Sequence, residues 1–262
     1  MDERFKGILP VITGSSGLIG SKFVNEFIKK EISCIGIDIL SNKIKSNFYS
    51  FINEEFSSYK IFEELEQYLK KHKNIKTISI MHLAAIDSKH GLKDQTNNII
   101  LGDDLEENFE AMIEVNLKEV VKFSKKIINF CNLKNKKLNL ILTPSLYSFV
   151  GPDPLIYNDY NLDKIETQKS ISYVISKSSI PSLVKYLAST YSSENHRFNS
   201  FVPHGVIQDP DPLFVKSFIK KSPMRRLPKF NEIVSPALFL MSNESSYING
   251  QSLIVDGGWS II

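Results

Sequence analysis

The chain has 262 residues and a formal net charge of +3, with 42% hydrophobic and 23% charged residues. A charge this small argues against nucleic-acid binding, and the apolar content excludes a disordered chain. No apolar run approaches the ~20 residues that span a bilayer, and Met1-Asp2-Glu3-Arg4 lacks an apolar signal region, so a soluble cytoplasmic protein is expected.

In chain order, Ile8 to Ile12 is a short apolar strand that runs into Thr13-Gly14-Ser15-Ser16-Gly17-Leu18-Ile19-Gly20. A helical pattern follows to Lys30, then a second strand from Ile32 to Ile37 that ends in Asp38 and Ile39. Strand, Gly-rich turn, helix, strand and acid make the first half of a dinucleotide-binding unit. The glycines allow a tight turn and a close approach of backbone amides, and the helix N-terminus favours a pyrophosphate. Asp38 lies 18 residues after Gly20, where a carboxylate accepts from both adenosine ribose hydroxyls and repels a 2′-phosphate. NAD is therefore preferred over NADP. A surface turn followed by a solvated Asp is the plainer alternative.

A short strand at Phe48–Ile52, a helix at Ile61–Lys71 and a strand at Thr77–Met81 come next. The last runs into His82-Leu83-Ala84-Ala85, whose small residues let backbone pass close to a cofactor. His82 reads as a packed or turn histidine, and no second ligand at metal spacing supports a metal site. Cys34 and Cys131 stand in no paired motif and read as buried, inert thiols. Residues 89–103 read as loop, and Leu105 to Cys131 as one long helix in which Asn116 is a poor helix former that needs a reason. A strand at Leu138–Leu142 leads to Ser145. A polar connection runs from Phe149 to about Ser170.

Tyr173-Val174-Ile175-Ser176-Lys177 opens a helix that runs to Tyr191. The i,i+4 spacing puts Tyr173 and Lys177 on one face, where an ammonium lowers the pKa of the phenol and makes the pair an acid/base device for an alcohol oxygen. Alone, the pair fits an ordinary amphipathic helix surface better than a catalytic device. A strand at Phe198–Val202 closes on Pro203-His204-Gly205-Val206. Residues 206–229, with a short helix at Leu213–Lys220, read as a mobile flap. A helix at Asn231–Met241 and a final strand through Ile254-Val255-Asp256-Gly257-Gly258 end the pattern. Alternating strands and helices predict an α/β fold: a Rossmann-like doubly wound parallel sheet in three αβα layers, one domain over residues 1–262.

These motifs together resemble the short-chain dehydrogenase/reductase family over essentially the whole chain: Thr13-Gly14-x-x-Gly17-x-x-Gly20, Asn116, Ser145, Tyr173-x-x-x-Lys177, Pro203-x-Gly205 and Val255-Asp256-Gly257-Gly258. The resemblance implies that Tyr173 exchanges a proton with the substrate oxygen, Ser145 hydrogen-bonds that oxygen, and Lys177 holds the nicotinamide ribose. It implies that Asn116 holds a water linking Lys177 to solvent. The cofactor would lie against residues 14–20, Asp38, Ile39, Leu83, Ala84, Ala85, Tyr173 and Lys177, with Pro203, Gly205 and Val206 near the nicotinamide. Two departures, Gly17 three after Gly14 and His82-Leu83-Ala84-Ala85, resemble the family's longer sugar-nucleotide branch, and a third, Ser145 lying 28 residues before Tyr173, departs from the shorter spacing of the short branch. The length and the Val-Asp-Gly-Gly ending belong to the short branch. This mixture looks like the oxidoreductases of flagellin modification and nonulosonic-acid pathways, whose Ser-Ile-Tyr-Gly segment is similar to Ser145-Leu146-Tyr147-Ser148. A carbohydrate-like substrate is then expected, with residues 149–170 as a substrate loop. A nucleotide-sugar epimerase or dehydratase that retains NAD, and a non-catalytic dinucleotide sensor, are the alternatives. The resemblance also implies a homo-oligomer, a tetramer or dimer.

Overall fold

The computed structural model describes residues 2–87, 109–153, 156, 169–193, 195–206 and 212–262. Its strands are β1 (Ile8–Thr13), β2 (Cys34–Asp38), β3 (Tyr49–Asn53), β4 (Thr77–His82), β5 (Lys137–Leu142), β6 (His196–Pro203) and β7 (Ser252–Val255). They form one sheet in the order β3-β2-β1-β4-β5-β6-β7, with every neighbouring pair parallel. The helices are α1 (Leu18–Lys29), α2 (Tyr59–Lys71), α3 (Phe109–Ile113), α4 (Glu119–Leu133), α5 (Ile171–Ser178), α6 (Ile180–Tyr191), α7 (Pro212–Lys220) and α8 (Phe230–Met241).

Because successive strand residues face opposite sides, each central strand feeds two cores at once. Val11, Ile80 and Leu140 pack with Ile61 and Leu65 of α2, Phe123 and Ile127 of α4, and Val184 of α6. Their neighbours Ile12, Met81 and Ile141 pack on the other face with Phe23 and Phe27 of α1 and Ile233 and Ala237 of α8. Polar pins complete the second layer. The Ser79 hydroxyl donates to the Met241 carbonyl at 2.8 Å, and the Asn139 amide to the Leu240 carbonyl at 2.8 Å. These satisfy carbonyls that the end of α8 leaves without helical partners.

The expected three-layer doubly wound architecture is present, with differences at its seams. The second and third strands start later than expected, at Cys34 and Tyr49, because the pairing of Cys34 with Tyr49 sets their common beginning. The long helix expected from Leu105 begins, among the described residues, at Phe109. One π-helical turn over Glu114–Lys118 interrupts it, closed by the Glu119 amide on the Glu114 carbonyl. The Tyr-Lys helix is two helices broken at Ser179, and Pro181 in the first turn of α6 is the reason. Proline has no N–H to give to the carbonyl four residues back, that of Lys177. The Ser148 hydroxyl takes that carbonyl instead, at 2.9 Å. Most of the expected substrate loop at 149–170, and residues 207–211 of the flap, lie outside the described residues.

The strand order reverses between β1 and β4, which leave the sheet in opposite lateral directions. In open α/β sheets the crevice beyond the carboxyl ends of such strands receives the ligand.

Candidate active site

The turn from β1 into α1 sits at that crevice. Gly14 has φ +70°, and a Cβ there would lie 2.8 Å from the Ala84 amide nitrogen. A Cβ on Gly20 would lie 2.1 Å from the Gly14 carbonyl oxygen. Only bare backbone fits at both positions. Helix α1 starts at Gly17 with no side-chain cap and no acid in its first turn, so its free amides and positive dipole end suit an anion. This cradle fits the pyrophosphate of a dinucleotide. At the tip of β2, the Asp38 carboxylate accepts from the Ser16 and Leu40 amides, each at 2.9 Å.

The floor of the crevice is held by the end of β4. His82 Nδ1 lies 2.8 Å from the Thr13 hydroxyl, which also accepts from the Ala84 amide at 3.3 Å. The imidazole is packed edge-on against Phe56, centroids 4.7 Å apart, and burial lowers its pKa to about 3, helped by the Lys177 charge. A neutral, packed histidine is what the sequence suggested.

The loop after β5 carries Ser145, whose side chain caps the short turn Leu146–Ser148 by accepting from the Tyr147 amide at 3.3 Å. The Ser145 amide donates to the Ser148 hydroxyl at 3.2 Å, and the Ser178 hydroxyl donates to the Tyr147 carbonyl at 3.2 Å. Turn and helix α5 are therefore stitched together. Tyr173 and Lys177 project from successive turns of α5. Lys177 is 7% exposed, its ammonium donates to the Thr143 carbonyl at 2.9 Å, and burial lowers its pKa to about 8.

The net shift of the Tyr173 phenol is upward. Burial pushes the phenol above its ordinary range, the nearby Asp87 carboxylate adds to the rise, and a hydrogen bond with Ser145 only opposes it. The ammonium of Lys177 is engaged by a backbone carbonyl, so shared helix face alone does not make the phenol acidic.

Asn116 has protein partners that the sequence did not give. Its side chain accepts from the Ile86 amide and donates to the Ile86 carbonyl, both at 2.9 Å, and donates to the Ser176 hydroxyl at 3.2 Å. The π turn brings this amide inward as a brace for the chain leaving β4. Widened turns of this kind recur at functional sites.

A cavity of about 530 Å³ is lined by Gly14, Gly17, Leu18, Ile19, Gly20, Leu83, Ala85, Ser145, Tyr173, Lys177, Pro203, Gly205 and Val206. Sequence-expected residues thus converge from both ends of the chain. Ala84 contributes backbone pressed against Gly14. Ser15 is buried, its hydroxyl accepting from the Tyr49 phenol at 3.4 Å, so its side chain faces away from the ligand path. Ser16 lines a neighbouring shallow hollow with residues 41–44, and Ile39 is 67% exposed beside it.

The cavity also holds residues that sequence reasoning missed: Asp87, Thr143, Tyr147, Lys169, His204, Phe214 and Phe218. Lys169 is buried and grips both Asp87 carboxylate oxygens at 2.7 and 2.6 Å, with its ammonium 3.9 Å from the Tyr173 ring centroid. His204 is 2% exposed, and burial lowers its pKa to about 4. Phe218 packs on Trp259, which is fully buried and donates to the Phe218 carbonyl at 3.3 Å, anchoring α7 at the cavity rim.

A family model described as enoyl-(acyl carrier protein) reductase matches residues 67–260. The chain belongs to the short-chain dehydrogenase/reductase family. A short-chain dehydrogenase from Leptospira borgpetersenii with bound NAD+ superposes with a TM-score of 0.80 at 25% identity, covering 98% of this chain and 94% of that one. Glucose 1-dehydrogenase of Gluconobacter oxydans is 23% identical over 99% of this chain and 94% of its own length. The post-translational flagellin modification protein A of Campylobacter coli is 28% identical over 38% of this chain and 40% of its own. Membership makes the protein an NAD(P)-dependent dehydrogenase or reductase acting on a small molecule. Among the described residues, no helix is long and apolar enough to cross a membrane.

Proposed function

We propose that this short-chain dehydrogenase/reductase interconverts a secondary alcohol and a ketone on a carbohydrate-like substrate, using NAD. The observation that carries the reading is the convergence of Ser145, Tyr173 and Lys177 on the cavity that the glycine turn opens into. Bound nicotinamide supplies or accepts the hydride. The chain supplies the rest. Tyr173, its pKa raised by burial, gives its proton to the carbonyl oxygen as reduction proceeds and takes it back in oxidation. The Ser145 hydroxyl, fixed by its turn, orients that oxygen and stabilises the charge developing on it. Lys177, on the wall of the cavity, would hold the nicotinamide ribose, and the Asn116 brace holds the chain at Ile86 that walls the site. Asp38 selects NAD by accepting from the ribose hydroxyls.

The carbohydrate assignment draws support from the glucose dehydrogenase and flagellin-modification relatives and from polar groups around the reacting centre, namely Asp87, Lys169, Tyr147 and His204. The part of the 206–229 stretch anchored on Trp259 forms the rim across which a substrate enters. Exposed apolar side chains on the outer helices, Val121, Ile175 and Tyr186, support a homo-oligomer built on those faces.

The test is a screen of sugars, amino sugars and sugar phosphates with NAD and NADP, read by reduced-nicotinamide absorbance, with Tyr173→Phe as control. Turnover on a sugar-type alcohol or ketone that Tyr173→Phe reduces at least a hundredfold is expected. Undiminished turnover in that variant overturns the assignment of Tyr173. Turnover with retained NAD and no net absorbance change marks an epimerase or dehydratase instead.

A further inference from the structure

The family's acid/base pair accounts for Tyr173 and Lys177 but leaves a second lysine in the same cavity unexplained. Lys169 ends two residues before α5 begins, and its side chain is only 4% exposed. Burying an ammonium is costly unless it is paired, and the Asp87 carboxylate pairs it through both oxygens. Asp87 itself is 44% exposed at its side chain, so the pair leans from solvent toward the interior with its cation innermost. That cation meets the face of the Tyr173 ring at 3.9 Å, close enough for the ring's negative face to attract it.

We propose that Asp87 and Lys169 form a positioning pair, in which the carboxylate holds a cation against the face of Tyr173 and so sets how readily the phenol releases its proton. A cation at this distance stabilises the phenolate over the phenol, and the carboxylate behind it opposes that effect. The pair works as a partly cancelled charge: removing either partner tips the balance at the Tyr173 ring toward the other. The carboxylate's half of this balance shows in its upward push on both Tyr173 and Lys177. Among the described residues, the titratable groups facing Tyr173 are Asp87 from the end of β4, Lys169 and Lys177 on either side along the chain, and Tyr147 from the β5 turn, with His204 from β6 on the same cavity. None of the others presents a cation to the ring face.

The inference rests on Tyr173 as the proton-exchanging group, but its test does not need a substrate. Tyrosinate absorbance is read in stopped-flow pH jumps on NAD-saturated protein, each curve corrected by the same variant carrying Tyr173→Phe. Lys169→Met is expected to raise the Tyr173 midpoint by about one pH unit, and Asp87→Asn to lower it by about one. Lys169→Arg, which keeps the charge, is expected to stay within half a unit of wild type. Opposite signs are the signature. A merely structural role loosens the site in both variants, admits water and lowers both midpoints, and that result overturns the proposal, as does no movement in either. If Lys169→Met does not fold, Lys169→Gln serves the same arm. If Tyr173 does not ionise in the wild type over the accessible range, ionisation must appear in Asp87→Asn. Full turnover in Tyr173→Phe, by contrast, sinks the reading of the reaction and leaves the titration to decide the pair.

Discussion

Two neutral, buried histidines make this fold acid-sensitive by a calculable amount. His82 is 4% exposed with a pKa lowered to about 3, and His204 is 2% exposed with a pKa lowered to about 4, burial being the first cause in each. Among the described residues, Nε2 of both rings is buried without a hydrogen-bond partner, so neither ring has an acceptor ready for a second proton. An unfolded histidine titrates near 6.5. The unfolded chain therefore binds protons first as the pH falls. The stability due to these neutral rings is complete above about pH 6.5 and lost progressively toward the folded pKa values. Between pH 7 and pH 5, each ring at an unfolded pKa of 6.5 forfeits about 2 kcal/mol, and the two together about 4 kcal/mol. Against a typical total of about 5–15 kcal/mol, that is a large share. Urea unfolding at the two pH values measures it. The loss from pH 7 to pH 5 should shrink by about 2 kcal/mol in His82→Gln and by a similar amount in His204→Gln, whatever the absolute stability of each variant. An unchanged loss in both refutes the reasoning, because it means that the rings are protonated in the fold.

Two further expectations concern the dinucleotide cradle. Gly20→Ala places a methyl 2.1 Å from the Gly14 carbonyl oxygen, so the turn must shift. We expect about 1–3 kcal/mol of lost stability by thermal melting and at least tenfold weaker NAD binding by calorimetry; wild-type affinity refutes the close packing. Asp38→Ala removes the carboxylate at the tip of β2, and the ratio of kcat/KM for NADP over NAD should rise ten- to a hundredfold, worth about 1.5–3 kcal/mol. Unchanged discrimination means that this side chain does not read the ribose.

Much of the fold was legible because its signals are local. The glycine turn, the apolar strands and the acid that ends β2 stand next to one another in the chain, and the near-continuous burial of β1, β4 and β5 on both faces follows from their apolar composition. Ser145, Tyr173, Lys177 and Pro203 were legible as a spaced set. What was hidden depends on geometry between distant segments. Asp87 and Lys169 are 82 positions apart, and no local pattern marks either as a partner of Tyr173. His204 was passed over as the variable residue between Pro203 and Gly205, although its place at a strand end could have flagged it. Pro181 was visible in the sequence and a proline two residues into α6 should have divided the Tyr-Lys helix. Asn116 was correctly marked as needing a reason, but its partners, Ile86 and Ser176, are distant in the chain and could not be read from residue type.

The break at Pro181 has a consequence for how the molecule tolerates change. By freeing the Lys177 carbonyl for Ser148, and with Ser178 tied to Tyr147, it welds the segment bearing Ser145 to the segment bearing Tyr173 and Lys177. The two ends of the intervening stretch are thereby fixed to each other, so the alignment of the reacting groups does not rest on that stretch alone. New selectivity can then be sought in that stretch while the joined segments keep Ser145, Tyr173 and Lys177 in register.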